Sequence, residues 1–133
     1  DGSRVFCIGT ATTEIVYALG AGGSLVATDT TSTWPDAATT LPKVGYLRTL
    51  SAEGLLAMRP TLLLATAEAG PPPVFEQLRA AGLNVVRSAG GHSYDALKRS
   101  IVEVGSALGR GPAARDLAAQ LAAEWTDVAA RVA

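Results

Sequence analysis

Four short apolar runs, at residues 4–8, 25–28, 61–65 and 83–86, constrain this chain more than any other feature. Each is too short for a buried helix, and each is followed by a polar or Gly/Pro-rich loop and then by apolar residues at helical spacing. Strands alternating with helices in this way predict a parallel sheet, because each strand must be carried back across the sheet before the next can pair beside the last. The first run, from Arg4 to Ile8, is continuously apolar after its first residue rather than alternating, as expected for a strand covered on both faces. The fold expected is therefore α/β, a parallel four-stranded sheet with helices on both faces.

The connecting segments fit that plan. Thr10 to Thr13 offer caps for a helix closed by Gly20, and Ser51 caps a helix carrying Leu55, Leu56 and Met58 before Pro60. Pro72 or Pro73 opens a helix running to Ala81, and residues 94–108 form another with Leu97, Ile101, Val104 and Leu108 on one side. Gly111-Pro112 starts a last helix in which Leu117, Leu121, Trp125, Val128 and Val132 recur, giving a length of roughly 30 Å. Residues 29–43 are read as a polar connection without periodicity, held extended at Trp34-Pro35 and Leu41-Pro42.

In a parallel sheet, ligands bind outside the carboxyl ends of the strands. Residues 10–12, 29–46, 66–73 and 88–92 each follow a strand and are expected to meet on one rim. Tyr46 and Arg48 belong to it. An extended loop would point both side chains the same way. A phenolate is a hard oxygen ligand for ferric iron, and a guanidinium beside it favours the charged form. The plainer alternative is a surface tyrosine beside a solvated arginine.

Composition narrows the function classes. With 48% hydrophobic and 17% charged residues the chain is not of the disordered type, and a net charge of −1 offers no polyanion-binding surface. No run approaches the roughly 20 apolar residues of a membrane span. The start has no signal-peptide pattern, so an exported form is expected to be already processed. The single Cys7, in an apolar strand, is expected to be buried and inert, and one His with one Cys makes no zinc motif.

Gly45-Tyr46-Leu47-Arg48, followed by Leu50-Ser51-Ala52-Glu53-Gly54, resembles the signature of periplasmic haem-binding proteins of bacterial haem-uptake ABC transporters. Residues 8–20, Asp29-Thr30-Thr31-Ser32-Thr33-Trp34-Pro35 and Ala69-Gly70-Pro71-Pro72 are similar to the same family in order and spacing. The resemblance implies a Rossmann-like lobe of a class III periplasmic binding protein. Residues 1–111 would form the N-terminal ligand-binding lobe and residues 112–133 the start of the long inter-lobe helix, with the C-terminal lobe absent.

It further implies that Tyr46 is the axial ligand of haem iron and Arg48 its supporting partner. Thr10, Trp34, Leu47, Pro71 and Pro72 would line the haem pocket, with Val74 as a further wall and His92 as a rim residue able to reach a haem. Glu53 would dock on the ABC permease, and Glu14 has a weaker claim to that role. The protein would be periplasmic, would carry haem as cargo rather than act as an enzyme, and a single lobe would bind haem weakly or pair with a second lobe around it. Two alternatives stand beside this. One is a corrinoid or iron-siderophore carrier of the same class. The other is a small nucleotide-binding α/β enzyme, with residues 9–13 as phosphate loop and Asp29 as the ribose-binding acid.

Overall fold

The computed structural model describes residues 4–33, 36–67, 69–88 and 94–132. Strands β1 (Val5–Ile8), β2 (Leu25–Thr28), β3 (Leu62–Ala65) and β4 (Asn84–Arg87) form one sheet in the order β2-β1-β3-β4, every pair parallel. Helices α1 (Thr10–Ala18), α2 (Asp36–Thr39), α3 (Ala52–Ala57), α4 (Pro72–Ala80), α5 (Tyr94–Ala107) and α6 (Gly111–Val132) connect or follow them.

Side-chain alternation along β1 and β3 divides the core in two. Val5, Cys7, Leu62 and Leu64 pack with Ile15, Val16, Ile101, Val104, Ala114 and Ala118, so α1, α5 and α6 cover that face. Phe6, Ile8, Leu63 and Ala65 pack with Leu55, Val74, Phe75 and Leu78 from α3 and α4. Phe6, Ile8, Leu63 and Leu64 are wholly removed from solvent. Full burial of such a side chain contributes about 1.5–3 kcal/mol, which explains why β1 and β3 are apolar on both faces.

Several boundaries differ from expectation, each for a local reason. The N-cap of α1 is Gly9, at φ 102°, and no threonine side chain caps the helix. Thr13 instead bonds back to the Gly9 carbonyl at 3.0 Å. The connection after β2 contains the short helix α2, with Asp36 in its first turn, and residue 43 bridges to Thr28 beside the sheet. Strand β4 begins at Asn84 and ends at Arg87, one residue later than the apolar run. On α5, Ile101 and Val104 are buried, whereas Leu97 is 37% exposed. On α6 the deepest contacts come from Ala114 and Ala118, with Leu117 and Leu121 only partly buried. Small residues let α5 and α6 approach closely: a Cβ on Gly105 would lie 2.2 Å from that of Ala114.

Candidate functional site

The loops after β1, β2 and β3 meet at the carboxyl end of the sheet, and Asp29 is the hub of the first two. Its carboxylate is fully buried. Oδ1 accepts from the Gly9 backbone N–H at 2.8 Å and from the Ser32 hydroxyl at 2.6 Å. Oδ2 accepts from the backbone N–H of Thr31 at 3.2 Å and from the Thr31 hydroxyl. Thr13 and Ser32 share a hydroxyl–hydroxyl bond of 2.9 Å, and the Thr10 hydroxyl donates to the Thr31 carbonyl at 2.7 Å. Asp, Thr and Ser closing hydrogen bonds a few residues away is a recurrent turn pattern, and Asp29-Thr30-Thr31-Ser32 carries it in sequence.

This arrangement bears directly on the nucleotide alternative. Its ribose-binding acid, Asp29, is sealed in the rim with both oxygens held by the chain's own donors. The crevice between β1 and β3, where the strand order reverses, is the usual nucleotide position. Here Thr66 fills it: a Cβ added to Gly9 would lie 2.3 Å from Thr66 Cγ2.

The chain next runs beside β2. Thr28 donates to the Pro42 carbonyl at 3.0 Å, Val44 to the Thr28 carbonyl at 2.9 Å and Thr30 to the Gly45 carbonyl at 2.9 Å. Lys43 secures this segment, its Nζ donating to Thr28 Oγ1, the Ser32 carbonyl and the Ala38 carbonyl at 2.7–2.9 Å. Gly45 takes φ 114°, a conformation costly for residues bearing a Cβ, and delivers the chain to Tyr46.

Residues 46–49 form a tight turn in which the Thr49 N–H donates to the Tyr46 carbonyl at 3.0 Å. Tyr46 and Arg48 therefore do not sit on an extended segment, and alternation does not relate their side chains. The turn is closed locally by that bond and anchored by Leu47, which packs against the second core. Tyr46 is 45% exposed and Arg48 is exposed. Neither the Tyr46 hydroxyl nor the Arg48 guanidinium has a hydrogen-bond partner among the described residues.

Two backbone bonds fasten this turn to the loop after β3. Gly70 N–H donates to the Leu47 carbonyl at 2.8 Å, and Leu50 N–H donates to the Gly70 carbonyl at 3.1 Å. Pro71, joined to Gly70 by a cis peptide, and Pro72 follow as exposed residues. The structure thus brings Tyr46, Leu47, Arg48, Pro71 and Pro72 to one part of the rim. Thr10 lies on the rim with its hydroxyl engaged, while Val74 is buried in the core and is not a wall. Trp34 and His92 lie outside the described residues. Glu53 is exposed in the first turn of α3, where Ser51 Oγ accepts from Gly54 N–H at 3.1 Å. Glu14 is exposed on α1, beyond its first turn.

Two cations that hold the rim, Lys43 and Arg87, escaped sequence reasoning because their hydrogen-bond acceptors among the described residues, apart from the Thr28 hydroxyl, are backbone carbonyls. A charged residue ending the apolar β4 run was the available signal for Arg87. Cys7 is buried in β1, and burial pushes its thiol up to about 12, with a hydrogen bond to Thr13 opposing and the Asp29 charge adding to the rise. No group of three or more His, Cys, Asp or Glu able to hold a metal ion occurs among the described residues. Among them, no helix is long and apolar enough to cross a membrane.

Comparison with known proteins places this geometry in a wider set. A family model described as "Periplasmic binding protein" matches residues 5–133. The apo form of the periplasmic haem-binding protein RhuT from Roseiflexus sp. RS-1 superposes with a TM-score of 0.89 at 40% identity, covering 93% of this chain and 48% of that one. The periplasmic haem-binding protein BhuT in complex with two haems gives a TM-score of 0.86 at 43% identity, with the same coverage. A vitamin B12-binding protein of Yersinia pestis is 35% identical over 85 residues, 64% of this chain and 30% of that protein. The chain spans about half the length of those two structures.

Proposed function

This chain belongs to the periplasmic binding protein family, and from that premise we propose that it carries ferric haem, with Tyr46 as axial ligand, to an inner-membrane ABC importer. The observation that carries the reading is the Tyr46 turn. It is anchored to the rim through Gly70 while its phenol remains half exposed and without a hydrogen-bond partner among the described residues. A hard anionic oxygen presented in this way suits iron(III), and Arg48, two residues on, stabilises the phenolate when the metal has taken the proton's place.

In this reading residues 1–111 are one ligand-binding lobe and residues 112–133 the beginning of the helix that links it to another. Leu47, Pro71 and Pro72 face the porphyrin, with Thr10 at the rim and Trp34 and His92 assigned to the same pocket. The protein works in the periplasm, binds and releases without covalent chemistry, and meets the permease through Glu53. Release follows when lobe movement or permease contact disturbs the Tyr46–Arg48 pair. A lobe without its companion leaves one haem face open, and a second copy is the surface that would cover it.

A corrinoid is the second reading, favoured by the Yersinia relative named for vitamin B12. Haem is preferred because the haem-binding structures match at 40–43% identity over 93% of the chain. The test is a titration with ferric haem followed by absorption, on the chain and on Tyr46→Phe, with cyanocobalamin as competitor. A high-spin phenolate-type spectrum that disappears in Tyr46→Phe is expected. Arg48→Ala should weaken binding less than Tyr46→Phe does. An unchanged spectrum in Tyr46→Phe overturns the ligand assignment, and displacement by equimolar cobalamin favours the corrinoid.

A further inference from the structure

Arg87 ends β4 with its guanidinium turned into the rim. Its Nη2 donates to the carbonyls of Ala67 at 2.8 Å and Ala69 at 3.0 Å. Its guanidinium carbon lies 4.5 Å from the ring centroid of Phe75, a buried residue of α4. Nε is buried with no hydrogen-bond partner among the described residues. Leaving a charged donor unsatisfied in the interior opposes folding, so this arginine is an expensive way to fill the position. An apolar residue would cover Phe75 without that cost. What the arginine alone supplies is a pair of charge-assisted bonds to two carbonyls of one loop.

That loop is the one on which the Tyr46 turn rests. Ala69, held through its carbonyl by Arg87, is followed by Gly70, whose N–H and carbonyl bond Leu47 and Leu50. The Thr49 N–H then closes the turn on the Tyr46 carbonyl. An unbroken run of hydrogen bonds and single residues therefore links the last strand of the sheet to the phenol-bearing turn.

We infer that Arg87 is a positioning residue for ligand binding, setting the height of the Tyr46 turn through Ala69 and Gly70 without touching the ligand. This inference rests on Tyr46 being the iron ligand. Phe75 holds the guanidinium from beneath, and the two carbonyls fix its plane. Removing the donors lets the loop carbonyls turn to water, and the turn then moves with Gly70.

The experiment separates the brace from its effect on the ligand. Arg87→Met keeps an apolar stem over Phe75 and removes the donors. Hydrogen exchange of the full chain is expected to show the Gly70 and Leu50 amides exchanging about tenfold faster, with the β1 amides unchanged. Uniformly faster exchange, or none, overturns the brace. In a ferric haem titration Arg87→Met should bind about tenfold more weakly, with less phenolate-to-iron absorption per bound haem. Combined with Tyr46→Phe, the same substitution should change the residual affinity less than twofold, because its route to the ligand is gone.

Loosened amides with full affinity and an unchanged spectrum overturn the positioning role. So does a penalty of equal size in both backgrounds. If Tyr46→Phe alone leaves the haem spectrum intact, the ligand assignment fails and the positioning role falls with it, while the exchange result still decides the brace. If Arg87→Met does not fold, Arg87→Lys carries the same cycle. It keeps the charge but loses the planar fork, and the expected weakening is about threefold. No weakening there overturns the inference.

Discussion

The two ends of the connection between β2 and α3 are built in opposite ways. At its beginning, Asp29 is sealed from solvent with both oxygens held by donors from the loops after β1 and β2. Near its end, Tyr46 and Arg48 carry their polar groups into solvent with no partner among the described residues. Both belong to one rim of one sheet. The difference separates the part of the rim whose polar capacity is spent on the fold from the part left unspent for something outside it. The carboxylate in the first position holds loops together, whereas the phenol in the second makes no hydrogen bond among the described residues.

The largest effect expected on the sealed side comes from Gly9. Its φ of 102° disfavours any side chain, and a Cβ there would press on Thr66 at 2.3 Å. Gly9→Ala should cost about 3–4 kcal/mol in denaturant unfolding, from backbone strain and overpacking together. Adding Thr66→Ser, which removes the crowding methyl, should recover part of this but not the backbone share. Full recovery would mean that the positive φ carries no cost.

Asp29→Ala should follow, at about 2–3 kcal/mol, because it leaves the Gly9 N–H and its neighbours without their acceptor. The loss should be accompanied by faster exchange of the Gly9 and Thr31 amides. If the variant is as stable as the parent, the buried carboxylate is not the hub described.

Cys7 gives a pH-dependent version of the same contrast. Its thiol is raised from 9.0 to about 12, chiefly by burial, so the folded state keeps the proton that the unfolded chain releases near pH 9. The stabilising contribution of the buried thiol is then complete below pH 9. It declines as pH rises toward 12, at up to about 1.4 kcal/mol per pH unit. Cys7→Ala should show a flatter stability profile over that window, although it is less stable at neutral pH because of the lost packing. A thiol reagent at pH 8 should modify the native protein only as fast as the chain opens.

The four strands, their parallel pairing and the meeting of the loops after β1, β2 and β3 on one rim were legible because they depend on local apolar runs and on a general rule of chain return, whereas the fourth expected loop, at 88–92, falls almost wholly outside the described residues. Ser51 as a cap, Pro72 in the first turn of α4 and Gly111 at the start of α6 were legible for the same reason: cap and turn chemistry is written in adjacent residues. Contacts between distant segments were not. Lys43 and Arg87 act mainly on backbone carbonyls, which every residue possesses, so nothing in the sequence marks those partners. The expectation that Tyr46 and Arg48 share the face of an extended segment failed because a turn closes between residues 46 and 49. Val74 looked like a pocket wall beside Pro71 and Pro72, yet the first turn of α4 rotates it into the core.

The smallest effect on stability is expected at Tyr46 itself, and this sharpens the comparison most. Tyr46→Phe removes a hydroxyl that no described group contacts and leaves the ring, the turn and the Gly70 bonds in place. Exposed substitutions of this kind change stability by less than about 0.5 kcal/mol. Arg48→Ala falls under the same argument, since its guanidinium also makes no hydrogen bond among the described residues. Denaturant midpoints within that margin, together with a lost haem spectrum in Tyr46→Phe, would show a group that the fold positions but does not use. A loss above about 1 kcal/mol in Tyr46→Phe would place the phenol on the structural side of the rim with Asp29, and its part in binding would then have to be separated from its part in folding.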